Sequence, residues 1–374
     1  MMKTSVCKID EKLSGDELSS LDVIREAGAI IRAGGLVAFP TETVYGLGGN
    51  ALDADASAKI YAAKGRPSDN PLIAHVADEQ GVIDIVKEIP PKAERCMEAF
   101  WPGPLTMIFE KKEIVPYTTT GGLDTVAVRM PAHQGALALI RAAGVPIAAP
   151  SANRSGRPSP TTAKHVEDDL SGAIEMILDG GSADIGVEST IVDMTCDPPM
   201  ILRPGYITQE MLQEVIGEVD VDPTITDANA KSRPKAPGMR YRHYAPKAPL
   251  TLVEDAEDGQ MAAKAICICA GEAAGNGEIV GIIGTEEYLE QYRESTAAFP
   301  NVIIKSIGRR SDPEAIAHNL YGVLREFDDE EVDRIFSESF ESNHLGRAIM
   351  NRLSKAAGHQ VICAEKFFTD SVRK

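Results

Sequence analysis

Leu36-Val37-Ala38-Phe39-Pro40-Thr41-Glu42-Thr43-Val44-Tyr45-Gly46-Leu47-Gly48 is an apolar tetrad that runs into a stretch rich in threonine and glycine. The tetrad predicts a buried strand, and Pro40 to Asn50 the turn that follows it. Upstream, apolar periodicity from Glu17 to Ala33 predicts a helix closed by Gly34-Gly35. Downstream, Ala56, Ser57, Ile60, Tyr61 and Lys64 fall at helical spacing, so Asp55 to Lys64 predicts a short helix that Pro67 cannot continue. A helix, a buried strand, a polar loop and a second helix open a mixed α/β domain.

Further strands are expected at Leu72–Val76, Leu105–Phe109, Thr125–Met130, Pro146–Ala149, Glu175–Leu178, Ser189–Asp193 and Met200–Leu202. Helices are expected at Pro91–Phe100, Gln134–Ala143, Thr162–Asp168 and Gln209–Ile216. That is too many strands for a simple βαβ array, and the domain should end near residue 220. Residues 221 to 249 change character. Lys231 to Lys247 carries six lysines and arginines, no acid, and prolines that prevent regular structure. It reads as a linker, but Arg240-Tyr241-Arg242-His243-Tyr244 suits contact with an anion and stacking on a ring. From Leu250 onward strands (Leu250–Val253, Ala265–Cys269, Ile279–Ile283, Val302–Ser306, Arg334–Glu338, Gln360–Cys363) alternate with helices at Pro313–Phe327 and Leu345–Ala357. This predicts a smaller, doubly wound α/β domain. Gly271, Gly275 and Gly277 do not match G-x-G-x-x-G, which argues against a dinucleotide site.

With 374 residues, 43% of them hydrophobic and 25% charged, the chain has the composition of a two-domain globular protein. No apolar run approaches the roughly 18 residues that span a bilayer. Met1 to Leu13 lacks the apolar core of a signal peptide, so a cytoplasmic location is expected. The six cysteines are dispersed. Cys267 and Cys269 are expected on one face of a strand, no zinc-like spacing occurs, and reduced structural thiols are expected. A net charge of −18 disfavours nucleic acid as a whole-body partner and leaves room for a local basic cleft.

The chemistry concentrates in two places. Lys64-Gly65-Arg66-Pro67 sets two cations on one turn, where they are either a solvated surface pair or a clamp on one polyphosphate. Asn70-Pro71 fixes the loop's exit and His75 lies on the next strand. Pro150-Ser151-Ala152-Asn153-Arg154 follows an apolar strand, where α/β sheets place ligands, and Ser159 follows in a proline-flanked turn. The other reading there is a polar loop with local hydrogen bonds. Glu188-Ser189-Thr190 and Arg203-Pro204-Gly205 are loop-edge groups of the same kind. No Walker loop or serine–histidine–acid order is present. These residues alone support a nucleotide- or phosphate-handling α/β enzyme.

Seven ordered segments resemble the long, two-domain threonylcarbamoyl-AMP synthases. They are PTETVYGLG at 40–48, KGRPSDNPL at 64–72, TVAVRMPAH at 125–133, PSANRSGRPSPT at 150–161, ESTIVD at 188–193, ILRPG at 201–205 and PGMRYRHYAP at 237–246. The resemblance implies a YrdC-like mixed α/β catalytic domain at 1–220, a basic lid-forming linker at 221–249, and a Rossmann-like domain at 250–374. It implies synthesis of L-threonylcarbamoyl-adenylate and pyrophosphate from L-threonine, bicarbonate and ATP. The adenylate would serve a separate transferase that modifies the adenosine beside the anticodon of ANN-decoding tRNAs. Contact with that machinery would be transient, tRNA binding weak, and no membrane involved. By motif, Thr43, His75, Arg129, the Ala149 backbone and Ser189 form the threonine site, with Arg129 on its carboxylate. Arg66, Asn70, Thr125, Ser151, Ser159 and Arg203 contact ATP, Lys64 and Asn153 complete the charged wall, and Tyr241 closes over the nucleotide. The resemblance implies that Lys64, Arg66, Ser151 and Asn153 would be the catalytic set, that the protein itself would hold no metal, and that magnesium would arrive on ATP. Two rivals are a carbamoyl-adenylate-forming maturation enzyme, whose CxxC pairs this chain lacks, and a non-enzymatic RNA-binding module, which the net charge disfavours.

Overall fold

The computed structural model describes residues 2–10, 12–225, 236–237, 243–255 and 259–371. The chain divides into two compact units, Met1–Ser155 with Ser159–Tyr241, and Gly156–Pro158 with Arg242–Lys374.

In the first unit the elements are β1 (Ser5–Lys8), α1 (Gly15–Ser20), α2 (Asp22–Arg32), β2 (Val37–Phe39), β3 (Gly46–Asn50), α3 (Ala54–Lys64) and β4 (Ile73–His75). There follow α4 (Glu79–Ile85), α5 (Pro91–Phe100), β5 (Leu105–Glu110), β6 (Thr125–Arg129), α6 (Gln134–Ala143) and β7 (Ile147–Ala148). The unit closes with α7 (Ala163–Leu170), β8 (Met176–Asp179), β9 (Thr190–Asp193), β10 (Met200–Arg203), α8 (Gln209–Ile216) and β11 (Asp220–Val221). The described strands join in one mixed sheet, ordered β1-β8-β2-β3-β7-β4-β6-β5-β9-β10-β11. One apolar layer packs Tyr45, Leu47, Ile60, Val82 and Met107; another packs Ile24, Ile31, Phe39, Leu139 and Leu178. Burying both faces of a sheet this way excludes water from its centre.

Two expectations change here. The helix expected over 17–33 is two helices, α1 and α2, broken at Leu21, which is extended (φ −70°, ψ 135°). Its true start is a capping box: Ser14 accepts from the Glu17 amide while the Glu17 carboxylate accepts from Ser14. The turn expected over 40–50 ends early, because Gly46–Asn50 is a central strand. A Cβ on Gly48 would lie 2.8 Å from Ile147 and 2.9 Å from Phe39, so glycine here answers a crowded sheet rather than a turn.

The second unit holds β12 (Leu250–Glu254), α9 (Gln260–Gly275), β13 (Val280–Thr285), α10 (Leu289–Ser295) and β14 (Val302–Gly308). It continues with α11 (Pro313–Asp329), β15 (Arg334–Glu338), α12 (His344–Ala356), β16 (Val361–Cys363) and α13 (Ala364–Ser371). Its strands are all parallel, in the order β14-β13-β15-β12-β16. α9 packs with α10, and α11 with α12, so the winding reverses direction between β12 and β15. The strand expected at Ala265–Cys269 is the middle of α9. Six alanines in that helix outweigh the short Ile-Cys-Ile-Cys alternation, and Cys267 and Cys269 lie on different sides of it. The end of β15 carries the fully buried Glu338. It accepts from the Thr285 amide (2.8 Å), Tyr292 Oη (2.9 Å) and Arg310 Nη1 (2.6 Å), and burial still pushes its carboxyl up. Arg310 also donates to the Ser339 carbonyl (2.8 Å) and lies against Gly259, the N-cap of α9.

Candidate active site

Residues 40–47 and the Pro150–Ser151–Ala152–Asn153 loop, about a hundred residues apart in sequence, are laced together by backbone hydrogen bonds. The Tyr45 amide donates to the Pro160 carbonyl (2.9 Å), Leu47 to Pro150 (2.8 Å), and Ala152 to Tyr45 (2.8 Å). Across the turn, the amides of Ile185 and Gly186 donate to the carbonyls of Glu42 (2.8 Å) and Thr43 (3.1 Å). Glu42, Thr43, Tyr45, Leu47, Pro150, Ala152, Pro160 and Gly186 are buried and Ile185 is half-buried, so these hydrogen bonds fix the loop largely away from water.

Lys64 stands on the last turn of α3, which Gly65 ends in the left-handed conformation (φ 62°). Its ammonium is buried and donates to the backbone carbonyls of Ser151 and Asn153, and to Asn153 Oδ1 at 3.3 Å. Ser151 Oγ donates to Asn153 Oδ1 at 2.6 Å. The structure therefore brings Lys64, Ser151 and Asn153 into one network, with the lysine holding the loop. Arg66 donates to the carbonyls of Asn70 (3.4 Å) and Pro71 (3.3 Å). Asn70 is 2% exposed, and neither end of its side-chain amide has a hydrogen-bond partner. A buried amide unmatched at both ends is a group that a ligand would satisfy.

His75 and Arg129 sit opposite each other in the parallel pairing of β4 and β6, and His75 faces Ile147 of β7 on its other side. Burial, reinforced by the Arg129 charge, pushes His75 down to about 3, so it is neutral at physiological pH. Arg129 Nη1 donates to Thr43 Oγ1 (2.9 Å), Nη2 to Glu42 Oε1 (2.6 Å), and Nε to the Gly103 carbonyl (3.3 Å). Thr43 is further held by Thr41 Oγ1 at 2.9 Å. The Ala149 amide is spent on the Ile73 carbonyl (2.8 Å), so only its carbonyl can meet a ligand.

Ser189 joins the two halves of the site. Its Oγ lies 2.8 Å from Thr106 Oγ1 and accepts from Arg203 Nη2 at 3.2 Å, while its carbonyl accepts from Arg203 Nε at 3.1 Å. Arg203 Nη1 also reaches the Pro237 carbonyl at 3.4 Å. Ser159 Oγ donates to Glu188, and both are buried. Thr125 begins β6 opposite Glu110 of β5 and makes none of these contacts. Tyr241 lies outside the described residues. No role for Glu42, Thr41 or Thr106 follows from the sequence alone; the signal at Glu42 is that it is the one charged residue between Leu36 and Gly48. Among the described residues no cluster of three or more His, Cys, Asp or Glu could hold a metal ion.

Buried cations, small hydroxyls and an unmatched amide at converging strand ends define a nucleotide-handling α/β enzyme. Residues 29–205 match the family described as "Telomere recombination", and residues 207–358 match "Threonylcarbamoyl-AMP synthase, C-terminal domain". The threonylcarbamoyl-AMP synthase of Bacillus subtilis (strain 168) is 50% identical over 93% of this chain and 96% of its own length. That of Pyrococcus abyssi is 49% identical over 91% of this chain and 95% of its own. P. abyssi Sua5 complexed with L-threonine superposes with a TM-score of 0.86 at 45% identity, covering 96% of this chain and 99% of that one. The chain belongs to the threonylcarbamoyl-AMP synthase family.

Proposed function

We propose that this chain condenses L-threonine, hydrogencarbonate and ATP into L-threonylcarbamoyl-adenylate, pyrophosphate and water. The observation that carries the reading is the interlaced Lys64–Ser151–Asn153 and Thr43–Arg129 site on a chain 45% identical to a relative solved with L-threonine. In this reading the carboxylate of threonine meets Arg129, with Thr43, His75, the Ala149 carbonyl and Ser189 around the rest of the molecule. ATP, carrying its own magnesium, lies along Arg66, Asn70, Thr125, Ser151, Ser159 and Arg203, and Tyr241 closes over it. The amine and carbon dioxide form a carbamate, whose oxygen attacks the α-phosphorus as pyrophosphate leaves. The protein supplies alignment and fixed positive charge, from Lys64 and Arg66, rather than a base.

Lys64 serves this chemistry twice. It fixes the loop that carries Ser151, and it adds charge to a site where low dielectric magnifies it. The product would pass in the cytoplasm to a separate transferase acting on tRNA, through transient contact. No described helix is long and apolar enough to cross a membrane. The test is pyrophosphate release from MgATP with L-threonine and bicarbonate each supplied or withheld. Release that needs both is expected. Release that needs carbamoyl phosphate instead would replace this reaction with carbamoyl-adenylate synthesis, and no release at all would leave a binding module.

A further inference from the structure

A free amino acid presents a carboxylate and an ammonium two bonds apart, so a site that takes the first on Arg129 must meet the second nearby. Around Arg129 the pocket offers a cation one neutral acceptor, the Ala149 carbonyl, and little negative charge. His75 is neutral, Thr43 and Ser189 are uncharged, and Lys64 and Arg66 are positive. Glu188 receives the Ser159 hydroxyl.

Glu42 is different. Its Oε1 accepts from Arg129 Nη2 at 2.6 Å, and the two side chains are 9% and 5% exposed. Its Oε2 is buried and has no hydrogen-bond partner. A desolvated carboxylate oxygen without a donor is uncommon in a folded protein, and a bound cation would satisfy it. Arg129 has five N–H donors, and three are used by Glu42, Thr43 and Gly103. Two therefore remain for an incoming carboxylate while the ion pair with Glu42 stays intact.

We propose that Glu42 is the positioning residue for the substrate's α-amino group, its Oε2 accepting from the ammonium while Oε1 stays on Arg129. Glu42, Arg129, substrate carboxylate and substrate ammonium then close a ring of alternating charge. The ring fixes the nitrogen, which must release a proton to solvent before its lone pair can meet carbon dioxide, and it selects α-amino acids over their deaminated analogues. The inference rests on Arg129 and Thr43 belonging to the threonine pocket.

The test compares L-threonine with 3-hydroxybutyrate, which keeps the carboxylate and hydroxyl and lacks the amine. Affinities are measured by calorimetry, with 3-hydroxybutyrate read by competition against threonine. The wild-type chain should prefer threonine by about 100-fold or more, and Glu42→Gln should cut that preference to under about 10-fold by weakening threonine alone. Glu42→Asp, which keeps the charge and withdraws it by one methylene, should fall between them and guards against a glutamine variant that does not fold. Equal weakening of both ligands would overturn the proposal, since Glu42 would then act only by holding Arg129. Unchanged affinities would overturn it as well. A wild-type chain that binds no threonine at all would instead remove the pocket assignment, and this proposal with it.

Discussion

Lys64 shows how far residue type alone misleads about a site. A lysine two residues from an arginine suggests two cations reaching outward, yet this ammonium is 3% exposed and spent on the carbonyls of the loop that carries Ser151. The sequence shows the lysine but not what it holds, because its acceptors lie almost ninety residues away and are backbone atoms. His75 carries a measurable consequence of the same dryness. Its folded value of about 3 lies below the ordinary 6.5, so between those limits the unfolded chain binds a proton that the folded chain does not. Stability contributed by neutral His75 is therefore complete above about pH 6.5 and is lost as pH falls, at up to about 1.4 kcal/mol per pH unit. His75→Asn should flatten the acid limb of the stability curve, read by chemical denaturation from about pH 6.5 to pH 4. An equally steep limb in the variant would mean that other groups govern acid sensitivity.

At the scale of elements, periodicity located most strands and the longer helices of the first unit, and α11 and α12 of the second, because each has one apolar face on a core. It failed where a local pattern was overruled by packing. The Gly46–Asn50 strand looked like a turn because its glycines are demanded by Ile147 and Phe39, which lie elsewhere in sequence. The Ile-Cys-Ile-Cys run has the alternation of a strand, and its alanine-rich flanks outweigh it. The candidate site was legible as segments but not as a network, since Thr106 reaching Ser189 and Glu42 reaching Arg129 are tertiary contacts. Gly205 belongs to this scale. A Cβ there would come within 2.4 Å of the Thr190 amide and 2.7 Å of the Glu188 carbonyl, at the end of β9 that carries Ser189. Gly205→Ala should cost about 1–3 kcal/mol of stability by overpacking and should lower turnover by displacing Ser189. Thermal denaturation alongside pyrophosphate release checks both, and wild-type values in the two assays would contradict the tight fit.

For the whole molecule, the boundary expected near residue 220 cuts through material that the first unit uses. Ala236 is buried against Ile73, Ile108, Ala127, Ile191 and Leu202, and the Pro237 carbonyl receives Arg203. A chain truncated after residue 220 loses that cover on β4, β5, β6, β9 and β10. It should retain much of its secondary structure by circular dichroism while losing most pyrophosphate release. Full turnover by the truncated chain would show that residues beyond 220 are dispensable for chemistry. His243 and Tyr244, which the sequence offered for stacking on a ligand, belong to the second unit, where Tyr244 stacks on Tyr321 at 5.4 Å.

Arg310 gives the second unit a character that its winding alone would not suggest. The place where a doubly wound sheet ordinarily receives a visitor is filled here by a guanidinium from the same chain, seated on Glu338 and the Ser339 carbonyl. A tethered occupant is present at an effective concentration far above that of any diffusing competitor, on the order of millimolar or more. The crevice is in that sense permanently saturated, a berth with its guest built in.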